Sequence, residues 1–182
     1  MKLGKTLYVT ERNSWRDWLA NNHDKEEEIW LVYYKQGSGK PRIPYNDAVE
    51  EALCFGWIDS MVKRIDQESN AQRFTPRRPN SQLSEMNKER IRRLIKAGKM
   101  TPAGLHAVEG LLTEDFIIPQ DILNVLKVDS PTWSNFQEFP ESYTRIRIGW
   151  IDAARKRPQE FNKRLEYFIK MTARNKKYGL VK

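Results

Sequence analysis

The run Trp57-Ile58-Asp59-Ser60-Met61-Val62-Lys63-Arg64-Ile65, the break Asp66-Gln67-Glu68-Ser69-Asn70, and the run Ala71-Gln72-Arg73-Phe74-Thr75-Pro76-Arg77 decide the fold. Two strand-type runs flank five residues of turn character, and the pattern predicts an antiparallel hairpin. Pairing Ile65 with Ala71 across that break sets Lys63 opposite Arg73, Met61 opposite Thr75 and Asp59 opposite Arg77. Alternation then gathers Trp57, Asp59, Met61 and Lys63 on one face, beside Arg73, Thr75 and Arg77. Lys63 facing Arg73 repels, so the pair requires an acidic partner or an anion. A slip of one residue would send alternate side chains to the other face.

Working outward, Lys5–Val9 alternates as a short strand, and Thr10 stands where a helix N-cap belongs, ahead of Trp15, Trp18 and Leu19 on one apolar stripe. Ile29–Tyr34 is apolar and aromatic throughout, which predicts a buried strand. Gly37–Pro41 is a loop without the spacing of a phosphate-binding Walker motif. Tyr45–Phe55 reads as a helix with Ala48, Val49, Ala52 and Leu53 on one face, closed by Gly56. Beyond the hairpin, Pro76 and Pro79 stop the strand. Ser84 caps a basic helix to Lys96, and Thr101-Pro102 opens another to about Leu112. Pro119, Asp129 or Ser130, Pro140 and Pro158 open four more, the last reaching Arg174, with residues 175–179 expected as a loosely packed tail. Strands before residue 76 and helices after 84 predict an α+β protein. Residues 1–80 are expected as an α+β domain with a small, mostly antiparallel sheet, and 81–182 as a helical segment packed on it.

Composition removes several functions. The 182 residues contain 6 Trp, 7 Tyr and 7 Phe, ample for a core and contrary to disorder. No window is apolar enough to span a membrane, and no apolar region follows Met1-Lys2-Leu3-Gly4-Lys5, so neither a membrane span nor a secretory signal is expected. One cysteine, Cys54, excludes an internal disulfide and makes the cytoplasm the expected compartment. With His23 and His106 far apart, no His/Cys zinc site is expected, and no cofactor is implied. The net charge of +8 is uneven: residues 1–60 sum to −2, 61–102 to +7 and 103–182 to +3. Such a block favours anionic partners.

The residues proposed from this reading as ligand-binding are Asp59, Lys63, Arg73, Thr75 and Arg77, with Tyr45 and Trp57 as walls. The cations would hold a phosphate or carboxylate, Thr75 would donate a hydrogen bond, and Asp59 would orient Arg77. No catalytic residue is assigned. One alternative is an enzyme acting on a small phosphorylated or nucleotide-like substrate, with Asp59 as general base. Another is nucleic-acid binding through the basic 73–99 segment, although no helix-turn-helix, zinc finger or RNP motif is legible. A protein partner for the helical half is a further possibility.

Across Ala48-Val49-Glu50-Glu51-Ala52-Leu53-Cys54-Phe55-Gly56-Trp57-Ile58-Asp59-Ser60 the chain resembles the YdeI/OmpD-associated, or bacteriocin-protection, family. The resemblance continues in Arg73-Phe74-Thr75-Pro76-Arg77, in Ser84 through Asn87-Lys88-Glu89-Arg90, and in Gly98-Lys99-Met100-Thr101-Pro102-Ala103-Gly104-Leu105. Phe139-Pro140 to Ser142-Tyr143, then Ile148-Gly149-Trp150-Ile151 and Ala154, resemble the family's helical C-terminal segment. Leu83 departs from the pattern, standing where members often carry Trp after Ser81-Gln82. The resemblance implies a link to envelope stress, to bacteriocin or antimicrobial-peptide resistance and to an outer-membrane porin. It supplies no catalytic residue.

Overall fold

The computed structural model describes residues 3–79, 81–113 and 115–179. In chain order the elements are β1 (Thr6–Leu7), α1 (Arg12–Asn22), β2 (Ile29–Tyr34), a 3₁₀ turn (Gln36–Ser38), α2 (Tyr45–Cys54), β3 (Trp57–Arg64) and β4 (Ser69–Pro76). Then follow α3 (Glu85–Lys96), α4 (Pro102–His106), α5 (Gln120–Leu126), α6 (Ser130–Glu138), α7 (Glu141–Asp152) and α8 (Pro158–Ala173). The class is α+β, as expected. The chain divides into two compact units, one of Met1–Gln82 with Arg90–Leu112, the other of Leu83–Glu89 with Thr113–Lys182.

In the first unit the sheet order is β1-β2-β4-β3. It is a mixed sheet, which corrects the mostly antiparallel expectation: β1 runs parallel to β2, while β2–β4 and β3–β4 are antiparallel. Parallel pairing requires a crossover, and α1 supplies it between β1 and β2. Apolar stripes on α1 and α2 make them cover one sheet face: Trp15 lies 5.4 Å from Phe74, Trp18 lies 5.9 Å from Trp57, and the Trp15 indole donates to the Ala48 carbonyl at 3.0 Å. Trp15, Leu19, Leu31, Leu53 and Phe74 are fully buried there. Full burial of such side chains stabilises by about 1.5–3 kcal/mol each.

The end of α2 is closed by a distant segment. The Cys54 carbonyl accepts from both the backbone N–H (3.0 Å) and the hydroxyl (2.7 Å) of Thr101. Thr101 also caps α4, accepting from the Gly104 N–H at 3.2 Å, which satisfies one of the N–H groups a helix start leaves open. Gly104 rests directly on the Cys54 carbonyl, where a Cβ would overlap it. α4 ends at His106, short of the expected Leu112.

The second unit is a helical cluster around Ile122, Leu126, Phe136, Phe139, Tyr143, Ile148, Ile151 and Phe168. The Asp129 carboxylate caps α6, accepting from the Thr132 N–H at 2.9 Å. Residues 175–179 are not a loose tail, because Tyr178 packs on the cluster and its N–H donates to the Tyr143 hydroxyl at 3.1 Å.

Candidate functional site

The hairpin forms, but in a different register. Arg64 pairs with Asn70, Lys63 with Ala71 and Val62 with Gln72. Past an irregularity between Asp59 and Val62, Asp59 pairs with Phe74, Ile58 with Thr75 and Trp57 with Pro76. The turn is tighter than five residues, since the Ile65 N–H bonds to the Ser69 carbonyl at 3.1 Å. Asp66 Oδ1 holds it by accepting from the Glu68 and Ser69 backbone N–H groups at 2.8 and 2.7 Å. The tight turn slips the pairing by two residues and the bulge by one more, so Asp59 changes faces.

The expected constellation is therefore split. On one face Arg73 sits opposite Trp30, and Lys63 lies 5.4 Å from the Trp30 ring. Glu28 supplies the acidic partner that the two cations require: it accepts from Arg73 at 2.6 and 2.5 Å and from the Trp30 indole at 3.0 Å. Those hydrogen bonds, Trp30's first and then Arg73's, hold the Glu28 carboxyl below its ordinary pKa. Thr75 lies on the same strand face, opposite Ile58. Arg77 joins neither group; its guanidinium donates to the Ser81 carbonyl at 2.6 Å and hydroxyl at 3.0 Å, and burial lowers its pKa. Trp57 is a core residue, 1% exposed, with its indole donating to the His23 carbonyl at 3.1 Å. It walls no site.

The other face, the one that α1 and α2 cover farther along, carries Tyr33, Asn70 and Gln72 beyond the helices. With Val62 of β3, Arg42 and Pro44 just before α2 and Tyr45 at its start, these residues line a half-open pocket of about 280 Å³. That volume lies near the lower end for small-ligand sites. Tyr45 and Asp59 do come together here. The Tyr45 hydroxyl donates to Asp59 Oδ2 at 2.7 Å, and the Gln72 amide donates to the same oxygen at 3.2 Å. Burial and the Asp59 hydrogen bond push the Tyr45 phenol up to about 12. The Tyr33 phenol is pushed well above its ordinary value, first by burial and then by the neighbouring Tyr45 phenol and Asp59 carboxylate. Its hydroxyl is shielded from solvent and has no hydrogen-bond partner among the described residues. Arg42 spends one N–H on the Tyr34 carbonyl at 3.2 Å and forms no ion pair among the described residues.

The pocket thus offers an unneutralised cation, a phenol without an acceptor and two carboxamides against aromatic and apolar walls. Sequence reasoning missed Tyr33, Arg42, Asn70 and Gln72. Alternation of Ile29, Leu31 and Tyr33 with Asn70, Gln72 and Phe74 places all six on one face once the register is known, and Tyr33, Asn70 and Gln72 are the three that reach the pocket. On α3, Arg90 is 8% exposed and donates to Asn46 at 2.7 Å, so the basic helix does not present all its charge outward.

Among the described residues no helix is long and apolar enough to cross a membrane, and no group of three or more His, Cys, Asp or Glu is placed to hold a metal ion. A family model described as a domain of unknown function (DUF8412) matches residues 7–107. A second, described as "Bacteriocin-protection, YdeI or OmpD-Associated", matches residues 115–175. The latter bears out the resemblance carried by Phe139–Ala154, while the resembling stretches at 48–60, 73–77, 84–90 and 98–105 fall within the first match. No curated protein and no solved structure matches the chain.

Proposed function

We propose, for a chain that belongs to the DUF8412 family and carries a bacteriocin-protection (YdeI or OmpD-associated) segment at 115–175, that its first unit binds a small anionic ligand without turning it over. The observation that carries this reading is the pocket's pairing of an uncompensated Arg42 with the partnerless Tyr33 hydroxyl. A carboxylate or phosphate would neutralise the first and accept from the second, and charge-assisted hydrogen bonds of this kind are the strong ones. Arg42 takes the part that the sequence assigns to Arg73 and Arg77, because Glu28 and Ser81 already hold those two. The binding would act in the cytoplasm, in resistance to a bacteriocin or antimicrobial peptide, and support for that role is the family description alone.

Thermal-shift screening against carboxylates, sugar phosphates and nucleotides tests the reading, since a ligand selective for the native state raises Tm with occupancy. A shift that survives moderate salt, vanishes in Arg42→Glu and persists in Lys63→Gln is expected. No shift from any small anion, or an undiminished one in Arg42→Glu, would refute it. Bacteriocin survival of cells carrying Arg42→Glu tests the physiological half separately.

The Tyr45–Asp59 hydrogen bond favours a second reading, an enzyme on a phosphorylated or nucleotide-like substrate with Asp59 as general base. Two donors already occupy Asp59 Oδ2, which leaves Oδ1 for a substrate proton. Asp59→Asn would then retain binding and lose turnover.

A further inference from the structure

We infer that the second unit binds single-stranded nucleic acid along the exposed face of α8 and the segment that follows it. Helical spacing divides α8 into two stripes. Phe161, Leu165, Phe168 and Thr172 recur at i, i+4, i+7 and i+11 and turn to the core. Lys163, Tyr167, Lys170 and Arg174 recur at the same intervals on the outer side and are exposed. The outer stripe extends for about 16 Å at 1.5 Å per residue, and the exposed Lys176 and Lys177 follow it after the chain turns at Asn175.

The charge on this stretch is one-sided. Residues 153–179 contain nine Lys and Arg against two Glu, Glu160 and Glu166. Arg155 and Arg164 are spent on carboxylates. Lys163, Lys170, Arg174, Lys176 and Lys177 form no close ion pair among the described residues, although Glu160 attracts Lys163, so a chain of phosphates would meet an excess of cations.

Aromatic rings are interleaved with the cations. Trp150 is 41% exposed and lies 4.0 Å from the Arg164 guanidinium, and Tyr167 is 46% exposed and meets Tyr178 edge-on at 4.8 Å. Arg147 lies 4.9 Å from the Tyr178 ring on its other neighbour, α7. Exposed rings beside a basic track are the elements by which single strands are held without sequence preference, the bases stacking and the phosphates following the charge. An anionic bilayer is the weaker fit, because the apolar stripe an interfacial helix would insert is already buried in the unit's own core.

The test is fluorescence anisotropy of a labelled oligothymidylate with the full chain across a salt series. Reversing Lys163, Lys170 and Arg174 to Glu should weaken binding at least tenfold and flatten the salt dependence, the log–log slope losing about 2 for three phosphate contacts on a single strand. Tyr167→Ala should weaken oligothymidylate about tenfold while leaving an abasic oligomer's affinity unchanged, the mark of a lost stack. Reversing Arg93 and Lys96 on α3 together with Lys99 just after it should leave affinity unchanged. Circular dichroism of each variant verifies folding, and all these positions are exposed. The inference is overturned if oligothymidylate fails to bind at low salt, if the α3 reversal costs as much as the α8 reversal, or if phosphatidylserine vesicles bind where the oligomer does not.

Discussion

Tyr33→Phe should make the unliganded protein more stable and the ligand-binding protein worse. A shielded hydroxyl without a partner costs about 1–3 kcal/mol of lost hydration, and phenylalanine keeps the ring while removing that cost. Taking the lower end, because the ring itself is only partly buried, a gain of about 1 kcal/mol raises Tm by roughly 2–4 °C in a chain of this size. The same change removes one hydrogen bond to a bound anion, worth about 0.5–1.5 kcal/mol, or a two- to tenfold loss of affinity. Alkaline pH sharpens the test. Tyr33's pKa is raised in the folded chain, so the folded state keeps its proton where the unfolded state gives it up. Its contribution is therefore complete below the ordinary tyrosine pKa of about 10 and is lost as pH rises above it. Tyr45, pushed up to about 12, acts in the same direction in both proteins and cancels from their difference. The variant's advantage in Tm should widen from pH 9 towards the alkaline limit, read by differential scanning calorimetry in parallel with isothermal titration of the screened ligand. A Tm at or below wild type would show that the hydroxyl is satisfied in the native state and that the pocket has no vacant donor there, and a difference that stays flat with pH would show that the phenol is solvated rather than buried.

Glu51→Gln should cost about 2–3 kcal/mol in urea denaturation: Glu51 is 2% exposed and joins Arg12 at 2.5 Å and Arg16 at 2.6 Å, and breaking a buried pair strands the cations, here in part still served by Asp47 and Glu50. A loss that disappears at high salt would mean the cluster is a screened surface network instead. Gly104→Val should destabilise by about 1–3 kcal/mol through overlap with the Cys54 carbonyl, whereas the same change at Gly37, which has open space, should leave Tm within about 1 °C. The hydrogen bonds from Ser69 and Glu68 lower the Asp66 pKa, so its support of the hairpin turn is present above the ordinary carboxylate range and fades as pH falls through the lowered value. Hydrogen exchange should show β3–β4 amides opening faster at pH 3 than at pH 6, and Asp66→Asn should blunt that difference.

Nearly every helix was legible because its signals are local: Thr101-Pro102, Asp129 and Pro158 each act within a turn of the helix they start. The hairpin was legible too, as two strand-type runs about a break. Its register was not, because it depends on one side chain and one extra residue. Asp66 followed by Ser69 is the signal for the tighter turn, since a short carboxylate reaches the backbone two and three residues on. The irregularity between Asp59 and Val62 has no such local mark, and it decides which face Asp59 occupies. Glu28 was missed for a different reason. It lies 45 residues from Arg73, and only the pairing of β2 with β4 brings them together. The short strand at Lys5–Val9 was legible, but its parallel direction was not, because a two-residue strand carries too little pattern to state one.

The clasp of Thr101 and Gly104 on the end of α2 also sets an order of events during synthesis. All four strands have left the ribosome once Pro76 has emerged, yet the carbonyl of Cys54 must wait for a segment some two dozen residues farther along. At about 5–20 residues per second the sheet waits a second or more for its closing piece. A nascent or truncated chain ending near residue 82 therefore has every strand of the first unit and still exposes the end of α2, where a chaperone or a protease would find it.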